Sequence, residues 1–174
     1  VRNYTRQYVY LRPSAITDSD YIVIFDRTET TRPDILKRWE VNMAYDPAIN
    51  GVETPVQGGK WRYTGADQIV INNDLLDPDP YNGESHPEAY GKLFVKSLLP
   101  DSVIMEKNGG PGYEFVDDAG IAHGYKNESS DYAVLSQAGA FYTGTYFVNV
   151  IPTTPSIKDN FLHVLQTADA NLVS

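Results

Sequence analysis

No cysteine occurs among the 174 residues, so neither a disulfide framework nor a thiolate metal site is open to this chain. Long hydrophobic runs are missing too. The longest unbroken one is the five residues Tyr21 to Phe25, far short of the roughly 20 that a membrane helix needs. Basic residues are scarce: 14 Lys and Arg stand against 23 Asp and Glu, a net charge of -9. A chain so charged repels nucleic acid and anionic membrane surfaces over long range, which argues against both as partners. It also disfavours a polyanionic glycan unless basic residues cluster locally. Catalytic signatures are equally sparse. Asn108-Gly109-Gly110-Pro111-Gly112 lacks the Lys-Ser/Thr end of a phosphate loop, and no serine has nucleophile-elbow spacing.

What the chain does have is turn formers and strand formers: 13 glycines, 11 prolines and 13 tyrosines. Tyrosine suits sheet surfaces, and it also stacks on sugar rings in carbohydrate-handling proteins. Gln7 to Arg12 alternates and ends at Pro13. Tyr21 to Phe25 is apolar almost without a break, as in a central strand covered on both faces, and the run stops at the acidic-basic pair Asp26-Arg27. Ile35 to Tyr45 has the cleanest period of two, with Trp39, Val41, Met43 and Tyr45 on one face. A helix would scatter these four around its circumference. Val52–Val56 and Lys60–Thr64 flank Gly58-Gly59, the signature of a hairpin.

Further strands are expected over Asp67 to Asn73, Tyr90 to Leu99, Val103 to Met105, Tyr113 to Val116, Ala140 to Ile151 and Asn160 to Thr167. Asp74 to Glu88 reads as a long irregular loop, Asn127 to Gln137 as a polar stretch with a short helical turn, and 108–112 as irregular. Nine or ten closely spaced strands imply an all-β fold, an antiparallel two-sheet β-sandwich with little helix, in one domain spanning 1–174. Its expected core comprises Tyr21, Val23, Phe25, Trp39, Val41, Leu93, Val95, Phe147, Leu162 and Val164.

Candidate chemistry is thin. Of the three histidines, His86 falls in the acidic loop, His123 in a turn, and His163 within a strand, where a hydrogen-bonded place at the sheet surface is expected. No pair has metal-ligand spacing, so no metal site is expected. Asp74, Asp77, Asp79 and Glu84 are hard-cation ligands by type and the weak candidates for calcium. Their spacing departs from the EF-hand pattern, and Pro78 and Pro80 fit a solvated loop. Arg2, Arg6 and Arg12 are candidates for contacting a carboxylate or sulfate, or for surface ion pairs. Trp39, Trp61, Tyr142 and Tyr146, with Tyr8 and Tyr10, are candidates for stacking on a glycan. Trp61 and Tyr63, or Tyr142, Gly144 and Tyr146, would alternatively form an apolar shelf for self-association or a missing partner.

Five segments together resemble the C-terminal β-sandwich part of the heparinase II/III-like polysaccharide lyases. They are Tyr4 to Leu11 (YTRQYVYL), Asp20 to Arg27 (DYIVIFDR), Lys37 to Val41 (KRWEV), Gly91 to Pro100 (GKLFVKSLLP) and Asp159 to Leu165 (DNFLHVL). The resemblance spans nearly the whole chain and consists of strand patterns. It implies a supersandwich-like domain that braces a helical toroid or forms one wall of a groove for a uronic-acid glycan such as a glycosaminoglycan. It also implies a bacterial protein, periplasmic or secreted, and Val1 in place of Met fits a processed or excised chain. The family's chemistry is β-elimination, using Tyr and His from the toroid and a His from the first sandwich strands; some members also carry zinc. No His-x-His or Asp-Ser-Gly-x-Tyr segment occurs before Tyr8 and no toroid accompanies the sandwich. No catalytic residue and no zinc ligand therefore transfers, and inactivity alone is expected. The alternative is a free carbohydrate-binding module with a Trp/Tyr platform.

Overall fold

The computed structural model describes residues 1–12, 19–43, 46–73, 91–110, 113 and 146–169. These form eleven strands: β1 (Asn3–Leu11), β2 (Tyr21–Glu29), β3 (Trp39–Met43), β4 (Ala48–Ile49), β5 (Val52–Val56), β6 (Lys60–Thr64), β7 (Gln68–Asn73), β8 (Gly91–Leu99), β9 (Val103–Gly109), β10 (Tyr146–Pro152) and β11 (Lys158–Asp169). Strand makes up 69% of the described residues and helix none. A six-stranded sheet runs β1-β2-β11-β8-β7-β4 and a five-stranded sheet β3-β10-β9-β6-β5. Every pairing is antiparallel, and neither sheet closes into a barrel. The fold is the expected all-β, two-sheet sandwich.

The core lies between the inward faces of the two sheets. Ile24, Ile69, Val95 and Phe161 come from the larger sheet; Trp39, Met43, Tyr63, Met105, Val148 and Val150 come from the smaller. Each large side chain so buried contributes roughly 1.5–3 kcal/mol. In β3 the period of two holds: Trp39 and Met43 are buried and Val41 half-buried, while Glu40 and Asn42 face solvent. The β5–β6 hairpin turns through Gly58 and Gly59, both at positive φ (75° and 66°), a conformation glycine takes without steric cost.

Six of the ten residues expected in the core lie in the opposite phase. In β2 the inward residues are Ile22, Ile24 and Asp26, so Tyr21 is exposed and Val23 and Phe25 are half-buried on the outer face. Likewise Phe161 and His163 point inward in β11, and Val148 and Val150 in β10, leaving Leu162, Val164 and Phe147 on the outer faces. An unbroken apolar run has no period, so it cannot declare which face is inside. Trp39 and Val95 are buried as expected, and Val41 and Leu93 pack against the core.

Several strand limits also differ. β2 continues past Asp26-Arg27 to Glu29, the short β4 is additional, and β3 starts at Trp39. Asn108 and Gly109, expected to be irregular, complete β9 because they pair with Lys60 and with β10. Tyr113 is not in a strand. The expected features at 74–88, 114–116, 127–137 and 140–145 lie outside the described residues.

Candidate functional site: a polar groove across three strands

Strands β1, β2 and β11 are neighbours, and their register aligns residues far apart in sequence. One cross-strand row holds Thr5, Arg27 and Asn160; the next holds Asn3, Glu29 and Lys158. Side chains alternate along a strand, and Asp26 and Phe161 point into the sandwich, so both rows lie on the outer face. With Thr28 and Asp159 they line an open groove of about 330 Å³. That is at the small end of ligand clefts, which span roughly 300–1,000 Å³.

The charges in the groove are unevenly committed. Glu29 is shared by Arg2 at 3.3 Å and Lys158 at 3.6 Å. Asp159 is turned toward the buried Lys37 ammonium, 2.9 Å away. Arg27 is exposed, and among the described residues it has no carboxylate partner. Its guanidinium instead sits 5.6 Å from the centroid of the Phe25 ring. Such stacking holds the planar fork without using its hydrogen-bond donors. Arg2, Lys158 and Arg27 thus stand around the one carboxylate of Glu29, already paired to the first two, in a chain that is acidic as a whole. An arginine fork suits a carboxylate or sulfate, and Asn3, Thr5 and Asn160 carry amides and a hydroxyl suited to sugar hydroxyls. No histidine reaches the groove among its lining residues, and both its acids are ion-paired. Arg27 is thus the groove cation whose donors are open to an anion.

Of the residues expected to form sites, Arg2 reaches the groove through its ion pair with Glu29, and the other described ones fall elsewhere. Trp39 is only 4% exposed and stacks on His163, with ring centroids 3.9 Å apart. Trp61 and Tyr146 are half-buried against the core, and Tyr63 is buried. Trp61 additionally receives the Lys107 ammonium 4.6 Å from its ring centre, an ammonium paired with Asp46 at 2.7 Å. Tyr142 and Gly144 lie outside the described residues, as do Asp74, Asp77, Asp79, Glu84, His86 and His123. Among the described residues no cluster of acidic and histidine side chains could hold a metal. Tyr8 and Tyr10 are exposed on β1. Arg2 and Arg12 lie at opposite ends of β1, about 30 Å apart at strand rise, so one small anion cannot bridge them.

Arg6 is committed inside the protein. Its Nε and Nη2 donate to the two oxygens of buried Asp26 at 2.6 and 2.5 Å, and the Tyr4 hydroxyl donates to the same carboxylate at 3.3 Å. The carboxylate raises the Arg6 pKa above its ordinary value. Next to this pair, His163 is fully buried and not at the sheet surface, and neither ring nitrogen has a hydrogen-bond partner among the described residues. Burial between Trp39 and Phe161 depresses its pKa to about 4, so the ring is neutral at pH 7.

No protein-family model and no curated protein matches this sequence. Sequence reasoning noted Arg27 only as the end of a strand, and passed over Asn3, Thr5, Lys158 and Asn160. The usable signal was that Asp26 and Arg27, being adjacent in a strand, must face opposite sides. Once Asp26 is placed inside, Arg27 is placed outside.

Proposed function

We propose that this chain is the glycan-contacting sandwich of a polysaccharide-lyase-like protein, and that the groove on β1, β2 and β11 holds an acidic sugar. Two things support the reading. The strand segments that resemble the heparinase II/III-like sandwich run nearly the length of the chain. The groove adds the observation that carries it: an exposed arginine, stacked on Phe25 and without a carboxylate partner among the described residues, between side chains suited to hydroxyls. In this reading the chain binds the polymer and leaves bond cleavage to residues of another domain. Its setting is then the periplasm or the cell exterior, where such polymers are met.

Affinity electrophoresis through gels containing heparin, hyaluronan or alginate tests this. Retardation of the wild type by at least one polymer is expected. Arg27→Ala should weaken it roughly tenfold, the scale of a charge-assisted contact at a partly solvated site. Equal mobility of wild type and Arg27→Ala in every gel would reject the proposal. Ultraviolet absorbance of an unsaturated uronate should not rise on incubation with the purified chain.

A further inference from the structure

Among the described residues, three of the four sheet edges are blunted in ways that discourage strand pairing. β4 is two residues long, β5 carries Pro55 next to its last residue, and β3 is five residues with an exposed Glu40. The fourth edge, β1, has no such protection among the described residues. It is nine residues, about 30 Å, in unbroken register with β2 from Asn3↔Glu29 to Leu11↔Tyr21. It contains no proline, lysine or bulge, and its one charge, Arg6, is neutralised by Asp26. Among the described residues β1 has a single neighbour, β2.

The side chains of β1 are open on both faces. Tyr4, Tyr8 and Tyr10 share the inward face with Arg6 but remain 50%, 63% and 57% exposed, and Val9 and Leu11 on the outer face are each 51% exposed. The smaller sheet has five strands against six, which fits the solvent exposure of β1's inward face. We infer that β1 is a self-pairing edge, through which two copies of this chain join into one continuous twelve-stranded sheet.

The occupant is a second copy because the strand is complementary to itself. Antiparallel pairing about a two-fold axis at Gln7 sets Tyr4 opposite Tyr10, Arg6 opposite Tyr8, Thr5 opposite Val9 and Asn3 opposite Leu11. No like charges meet, and both aromatic and arginine–aromatic pairs form across the join. Such an isologous contact closes at two copies, so β1 is consumed and no open edge propagates. The half-exposed tyrosine rings from two copies would remove up to roughly 600 Å² from water, before counting Val9, Leu11 and the new backbone hydrogen bonds. A specific interface totals roughly 1,200–2,000 Å², and the additional contributions bring β1 toward that range.

The same geometry has a consequence for the groove, resting on the glycan reading above. Both grooves fall on the same outer face of the joined sheet, with the two Arg27 side chains roughly 20 Å apart by strand spacing and rise. A polymer long enough to span that distance then engages both sites, and a short sugar does not.

Sedimentation velocity over a range of concentrations, without any sugar, tests the dimer independently of glycan binding. The wild type is expected to shift from monomer to dimer as concentration rises. Gln7→Lys and Gln7→Glu each place like charges opposite one another at the two-fold axis, and each should weaken self-association several-fold. An equimolar mixture of the two variants should restore it, because the charges become opposite. Circular dichroism matching wild type shows that each variant is folded; if either is not, the pair Thr5→Lys and Thr5→Glu gives a second probe of the edge, with each variant alone expected to weaken association through edge protection. A wild type that stays monomeric at all concentrations overturns the inference. So does a dimer that folded Gln7→Lys and Gln7→Glu leave unchanged.

Discussion

Replacing Arg6 by alanine should destabilise the fold far more than removal of an exposed arginine does. Asp26 is 2% exposed and its carboxylate receives two short bonds from Arg6 and a longer one from Tyr4. The variant leaves that carboxylate with the Tyr4 hydroxyl alone. Breaking a buried ion pair from one side costs about 3–5 kcal/mol. The Arg6 side chain is 34% exposed, so water can take its place on one side of the carboxylate. The expected loss is therefore about 2–3 kcal/mol, below the fully buried case. Removing both charges together, as Arg6→Leu with Asp26→Leu, should recover most of the loss, because no unpaired charge remains. Equilibrium urea unfolding reads this directly. With a slope of about 2 kcal/mol per molar, the Arg6→Ala midpoint falls by roughly 1 M while the slope stays constant. A loss under about 0.5 kcal/mol would mean that the pair behaves as a surface salt bridge, and the assignment of Asp26 to the interior would be refuted.

Other outcomes follow from the same geometry. His163 has its folded pKa depressed to about 4 from 6.5, so the unfolded chain binds more protons between those values. Its contribution to stability is present above pH 6.5 and is lost as pH falls toward 4, by about 3 kcal/mol in all; urea midpoints from pH 7 to pH 4.5 should show this slope, and His163→Phe should flatten it. Trp39→Ala should cost about 3–5 kcal/mol, since the indole is buried between the sheets, and a loss near 1 kcal/mol by thermal unfolding would contradict that placement. Gly51 has φ of 94°, and a Cβ there would come within 2.6 Å of the Thr64 carbonyl oxygen. Gly51→Ala should therefore destabilise by about 1–3 kcal/mol, whereas Gly65→Ala, at φ of 67° but with open space around it, should cost less in the same denaturation assay.

Local rules served the fold well where the pattern had a period or a marker. Alternation in β3 predicted Trp39 and Met43 inside and Glu40 outside, and Gly58-Gly59 marked a hairpin whose two strands match the expected limits. The same rules failed in β2 and β11, because Tyr21 to Phe25 and Phe161 to Leu165 offer apolar residues to both faces. There the phase is set by what each face meets, and Asp26 goes inside only because Arg6 on the next strand pairs with it. His163 was misplaced for the same reason, since an imidazole in an apolar strand looks like a surface residue until Trp39 covers it. The groove was illegible as a unit. Its rows combine residues near 5, 27 and 160, and only the register of three strands brings them together.

An acidic glycan should touch this sandwich in the groove on β1, β2 and β11. Amide chemical shifts of the nitrogen-15-labelled chain, titrated with oligosaccharides of heparin, hyaluronan and alginate in turn, locate that contact residue by residue. With at least one of them, the largest changes should fall on Thr5, Arg27, Glu29 and Asn160, and they should vanish in Arg27→Ala. Changes centred on another face of the sandwich, or no change with any of the three sugars, would contradict the assignment of the groove.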